Sequence, residues 1–239
     1  MAPWALRLDA ACFDNARLVR SAGFTHPSGA QVAAVLANRA PANAADLAAL
    51  MVDQLHGLVK RLRGSETSGL RLFWQPDGAG ANQAKSENDC RDVLMERLSD
   101  RLLQLNVSLE REPSAAFEKR PDMRASAVVS GQRVRVPIEI KKDSHRHLWT
   151  AWRDQLDRLY AIDPAARGSG IYLVLWFGLN PRPTPEGDKP SGAKRLEELL
   201  DERMSAEGRH RLKVLVLDLS WPETATGRQR ALQPGRRLQ

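Results

Sequence analysis

Within one short stretch the chain gathers residues that can act together on a phosphate or a metal: Asp122, then Glu139 and Lys141. From Val134 to Lys141 the residues alternate, with Val134, Val136, Ile138 and Ile140 set against Arg133, Arg135, Pro137, Glu139 and Lys141. A period of two is a strand. Glu139 and Lys141 therefore leave the same face, about 7 Å apart along a strand that rises roughly 3.3 Å per residue. Ala125 to Val129 reads as a second strand, and Ser130-Gly131 has the composition of a two-residue hairpin turn. Pairing about that turn sets Asp122 opposite Glu139; a turn at Gly131-Gln132 sets it opposite Lys141. In both registers two carboxylates and an amine meet. Oxygen ligands suit a hard divalent cation such as Mg2+, and a nearby ammonium can stabilise a phosphate or polarise an attacking water. An exposed hairpin face with a surface salt bridge is the plainer alternative.

The flanking elements decide what such a group can reach. Ser86-Glu87-Asn88-Asp89 reads as a capped helix start, and Cys90, Leu94, Leu98 and Leu102 mark the buried stripe of a helix running to about Gln104. Glu87 lies on that stripe, so its carboxylate either points inward and needs a partner or rests at the positive end of the helix dipole. Val107 to Glu112 alternates as a strand. After the hairpin, residues 142–146 turn the chain into a helix from about His147 to Ala161, with the stripe Leu148, Trp152, Gln155 and Leu159 and with Leu156 and Tyr160 alongside. Gln155 is its one polar member. Gly170 to Gly178 is a continuous apolar strand of the kind buried on both faces. A proline-rich loop, a helix over about Ser191 to Ala206 and a strand over Lys213 to Leu219 follow. Pro137 removes a ladder donor inside the Glu139 strand and predicts a bulge or an unpaired segment there.

Pro121-Asp122 together with Glu139-Ile140-Lys141 resembles the paired motif of the PD-(D/E)XK nuclease superfamily, over roughly residues 85–220. The element order helix, three strands, helix, strand, helix, strand is similar to that superfamily's core. The resemblance implies an α/β, restriction-endonuclease-like fold: a mixed β-sheet flanked by helices, here preceded by an N-terminal helical region. It implies a catalytic group of Asp122, Glu139, Lys141, Glu87 and Gln155. Mg2+, with Mn2+ as the alternative, would be held by Asp122, Glu139, the Ile140 carbonyl and Glu87, while Lys141 orients or activates water. It implies phosphodiester hydrolysis, in DNA first and with RNA left open. Arg124, Lys142, His145, Arg146 and Arg153 are near enough in sequence to meet backbone phosphates. In one subgroup a Tyr follows the Gln by four residues; here Tyr160 follows Gln155 by five. His145 and His147 lack the further Cys or His pair that a zinc site needs. The competing expectation is the same fold without turnover, holding nucleic acid or joining an assembly.

A formal net charge of +7 over 239 residues fits a polyanionic partner. Two cysteines, Cys12 and Cys90, imply no disulfide framework and point to a reducing, cytoplasmic setting. No apolar run reaches the roughly 18 residues of a membrane span, and the first residues do not open a signal peptide. The chain divides into a helical front (1–80), a nuclease-like domain (81–222) and a basic tail (223–239) with Arg228, Arg230, Arg236 and Arg237. The front carries helical patterns at Ala10 to Val19, Gln31 to Asn38 and Ala44 to Arg63, with a short strand expected at Leu70 to Trp74. As a connector it would mediate a homodimer or a larger assembly, which the resemblance places in bacterial antiviral defence. A connector also predicts that removing residues 1–80 leaves cleavage intact.

Overall fold

The computed structural model describes residues 28–36, 40–64, 69–75, 83–111 and 121–221. Strands β1 (Val107–Arg111), β2 (Met123–Val129) and β3 (Gln132–Lys142) form an antiparallel meander. Ser130 and Gly131 both take positive φ, 50° and 76°, as the twist-matched two-residue hairpin turn requires. That turn sets Met123 opposite Ile138 and Val129 opposite Gln132. The first of the two registers is therefore the one formed.

Strands β4 (Gly170–Trp176) and β5 (Leu212–Asp218) then add in parallel, giving a five-stranded mixed sheet in the order β1-β2-β3-β4-β5. Every residue of β4 is buried. Its two faces feed two cores: Ile171, Leu173 and Leu175 join Val136, Ile138 and Ile140 on one side, and Tyr172, Val174 and Trp176 face the other. Burial on both faces is why this strand reads as one apolar run.

On the first face lie helices α2 (Ala44–Gly64) and α3 (Glu87–Leu103), preceded in the chain by α1 (Gly29–Leu36). Helix α2, within the expected front, thus packs on the sheet. Leu47, Met51, Leu55 and Leu58 of α2 sit in one apolar cluster with Leu94 and Leu98 of α3 and with Ile138 and Leu173, so no packing boundary falls between α2 and the sheet. Leu70 to Trp74 is a 3-10 turn, Gly69–Phe73, instead of a strand. Leu70 and Phe73, three apart, are both buried, the spacing that a three-residue turn puts on one side. The expected helix at Ala10 to Val19 and the basic tail lie outside the described residues.

On the second face the crossover from β3 to β4 runs through turns up to residue 150 and then a π-helix, Trp152–Tyr160. Its ladder runs from N–H to the carbonyl five residues back, as in Ala161 to Leu156 (2.8 Å). In that wider turn Trp152, Leu156 and Tyr160, spaced by four, share the buried side, while Leu159 is 40% exposed. The stripe expected through Leu159 assumed ordinary helical pitch. Helix α4 (Ala193–Glu202) completes this layer. The helix expected to reach Ala206 stops there, and Ser205 caps a separate helix, α5 (Ala206–Arg211), by accepting from the Gly208 N–H at 3.0 Å.

Pro137 pairs opposite Arg124 without a bulge. The Arg135 N–H points away from β2, to the Ala165 carbonyl (2.9 Å). A donor at Pro137 would point the same way, where pairing with β4 begins only at Ile138. The missing N–H falls just ahead of the parallel ladder, so the expected bulge is unnecessary.

Candidate active site

The site is built where β3 outruns its neighbour. Strand β2 begins at Met123, opposite Ile138, but β3 continues to Lys142, leaving the Ile140 and Lys142 N–H groups without a strand on that side. Two carboxylates take the vacant ladder positions. Asp122 Oδ2 accepts from the Ile140 N–H at 2.7 Å, and Glu87 Oε1, from the first turn of α3, accepts from the Lys142 N–H at 2.8 Å. Ser86 fixes that helix start by accepting from the Asp89 N–H (3.1 Å), which aims Glu87 at the strand end.

Strand alternation carries Glu139 and Lys141 onto one face, as the sequence predicts. The Lys141 ammonium donates to Glu139 Oε1 and to the Ile140 carbonyl at 2.9 Å, and it lies 3.7 Å from Asp122 Oδ2. Both residues are almost sealed from solvent, Glu139 at 3% and Lys141 at 6% exposure. The Asp122 side chain, at 26%, is the more open side of the group.

The electrostatics follow from having more acids than cations in a dry place. Burial, joined by the negative charge of Asp122, pushes the Glu139 carboxyl up to about 7 despite its contact with Lys141. Burial also raises Glu87, partly offset by the Lys142 N–H. For Lys141 burial opposes the charge, but the Glu139 and Asp122 carboxylates outweigh it and hold the proton more firmly than usual. The Lys142 ammonium is turned to the Lys85 carbonyl (3.0 Å) and lies 5.5 Å from the Phe177 ring centre. Three carboxylates thus share one buried ammonium. Glu139 Oε2 is buried with no hydrogen-bond partner, an acceptor left for a further positive group.

Of the expected metal ligands, Asp122, Glu139 and the Ile140 carbonyl come together around Lys141 Nζ, while Glu87 is engaged one step further along the strand. Among the described residues no group of three or more His, Cys, Asp or Glu is placed to hold a metal. The oxygen set here is two carboxylates and a main-chain carbonyl. These hard donors, one of them an orphaned buried oxygen, fit Mg2+ or Mn2+.

Gln155 lies on the π-helix that packs against β3 and β4, and its Oε1 is buried without a partner. Tyr160 is five residues on, the repeat of that ladder. Its hydroxyl is driven up by burial and by the charges of Glu139 and Asp122, which places it within their field. Of the expected phosphate contacts, Lys142 is turned inward and Arg153 is paired with Asp154 at 2.9 Å. Arg124 lies in β2 opposite Pro137. His145 is half-buried and Arg146 exposed.

Two residues escaped the sequence. Asp143, 2% exposed, accepts at Oδ2 from the Phe177 and Gly178 N–H groups at 2.9 and 2.8 Å and so locks the exit of β4 to the exit of β3. An acid next to a serine after a strand reads as a solvated turn, and nothing in its spacing shows burial. Tyr172 donates to the Leu148 carbonyl at 2.7 Å; its hydroxyl inside an apolar run was the available signal, since a buried phenol needs a partner.

A family model matches residues 47–179, more than half of the chain, from within α2 to just beyond β4. The chain belongs to the family described as Domain of unknown function (DUF8371). The DUF8371 match contains Glu87, Asp122, Glu139, Lys141 and Gln155, and it crosses residue 80 without a break. No curated protein and no solved structure matches the chain.

Proposed function

We propose that this DUF8371 chain is a metal-dependent nuclease built on a restriction-endonuclease-like core, hydrolysing phosphodiester bonds in DNA. One observation carries the reading: Asp122, Glu139 and the Ile140 carbonyl converge on the Lys141 ammonium in a buried setting with more carboxylates than cations. A surface salt bridge has no reason to be sealed at such cost, because burying charge is unfavourable without a compensating partner. The succession of meander and two parallel strands between helical layers agrees with the same core.

Asp122, Glu139 and the Ile140 carbonyl would hold Mg2+ or Mn2+, with Glu87 behind them. The bound ion would supply Lewis-acid neutralisation of the charge that grows on the phosphate. Lys141, adjoining these ligands, would orient an attacking water and stabilise phosphoryl oxygen. Gln155, with an unpartnered buried oxygen on the covering helix, helps to order water or substrate. The membrane plays no part in this reading; among the described residues no helix is long and apolar enough to cross one.

The test is a substrate panel of circular, linear and single-stranded DNA with an RNA of matched length, each with Mg2+, Mn2+ or EDTA. Cleavage that needs the metal and is lost in Lys141→Ala establishes the activity, and the preferred substrate identifies its class. A folded protein that binds DNA in a salt-sensitive way but cuts nothing would make the chain a binding module.

A further inference from the structure

Two segments leave the site side by side. Residues 143–149 follow β3 and residues 177–184 follow β4, and they are tied at several points. The Arg182 N–H donates to the Asp143 carbonyl at 2.7 Å, Trp149 Nε1 donates to the Pro183 carbonyl at 2.6 Å, and the Asp143 carboxylate holds the Phe177 and Gly178 N–H groups. Arg182 thus sits between two fixed points of the main chain while its side chain is exposed.

Several arginines of this half of the molecule are held by carboxylates. Arg153 pairs with Asp154, Arg195 with Glu198, Arg203 with Glu186 and Arg211 with Asp157. Arg146 and Arg182 are exposed and have no carboxylate within ion-pair distance among the described residues. Free guanidinium groups on pinned main chain are well suited to planar, charge-assisted contact with phosphate. Between Lys141 and Arg146 stands His145, whose Nδ1 accepts from the His147 N–H at 3.1 Å, leaving Nε2 as the protonated nitrogen. Burial, then the positive charges of Lys141, His147 and Arg146, push this imidazole down to about 4. It is a neutral N–H donor at ordinary pH.

Building on the nuclease reading, we propose that His145, Arg146 and Arg182 form a cradle for a backbone phosphate next to the one being cut, two of them contributing charge and one a neutral hydrogen bond. The cradle is held to the Lys141 end of β3 by the Asp143 ties, so substrate bound there is registered on the reacting group.

The experiment is fluorescence anisotropy of a labelled DNA duplex with Ca2+ present to suppress turnover, across a range of salt, on full-length protein with folding checked by circular dichroism. Arg146→Ala and Arg182→Ala should each weaken binding about tenfold and lower the slope of log affinity against log salt by about one. His145→Gln should weaken binding while leaving the slope unchanged, and Arg195→Ala should match wild type. Wild-type affinity and slope in both Arg146→Ala and Arg182→Ala would overturn the cradle. If those variants bind normally while metal-dependent plasmid cleavage persists, the cradle alone falls. Absence of any salt-dependent DNA binding by wild type would remove the cradle and the nuclease reading together.

Discussion

Replacing Glu139 by Gln should stabilise the metal-free protein at and above neutral pH. The folded-state carboxyl is pushed up to about 7 by burial and by Asp122, against an ordinary value of about 4.3 in the unfolded chain. A raised folded-state value means that the native protein binds this proton more tightly. The group's stabilising contribution is then complete below about pH 4 and is lost as pH rises through about 7. At about 1.4 kcal/mol per unit, the full excursion is about 4 kcal/mol. Gln resembles the protonated acid in shape and keeps a donor and an acceptor, while the Ile140 carbonyl and Asp122 remain beside the Lys141 ammonium. The variant should match wild type near pH 5 and exceed it by about 2–3 kcal/mol at pH 8, or several degrees in Tm for a domain of this size. Urea unfolding in EDTA, followed by tryptophan fluorescence at pH 5, 6, 7 and 8, measures the difference. Burial also raises Asp143, whose pH dependence does not involve Glu139 and is common to both proteins. Parallel pH profiles, or a variant less stable at pH 8, would refute the reasoning.

Gly170→Ala would bring a Cβ to 2.9 Å from Leu156 Cδ1 and 3.1 Å from its Cγ; with that leucine fully buried, urea unfolding should show a loss of about 1–3 kcal/mol. Asp143→Ala leaves the Phe177 and Gly178 N–H groups without their acceptor, and a loss of about 2–4 kcal/mol should come with earlier proteolytic cutting within residues 177–184. Removing residues 1–80 takes away α2, whose Leu47, Met51, Leu55 and Leu58 contribute about 1.5–3 kcal/mol each, together comparable with a typical total stability of about 5–15 kcal/mol. That truncation should lose cooperative unfolding in circular dichroism; a folded, active 81–239 protein would restore the connector interpretation.

The sequence made the hairpin legible because its signals agree: strict alternation, a Ser-Gly turn and a motif at each end. Two registers stayed open, and in both of them Asp122 meets Glu139 and Lys141; the structure forms the first. The buried strand at Gly170 was equally plain. Features that depend on partners distant in sequence were hidden. The amphipathic stripe of α2 is the same whether it covers a sheet or another chain, so its place in the core could not be read from its period. The π-helix reads as an ordinary helix, since Trp152, Leu156 and Tyr160 fit either pitch, and only the exposure of Leu159 distinguishes them. Pro137 looked like a disruption because the length of each ladder is a tertiary fact. Glu87 is the intermediate case: the stripe placed it on the inner side of α3, but its acceptor role toward the Lys142 N–H exists only once β3 has outrun β2.

The most direct test of the central claim is conversion of a supercoiled plasmid by one preparation of the wild-type chain in Mg2+ and in EDTA, with Asp122→Ala alongside. The account predicts open-circular or linear product with Mg2+, none in EDTA, and none from the folded variant. Cleavage unaffected by EDTA, or retained in Asp122→Ala, would contradict it.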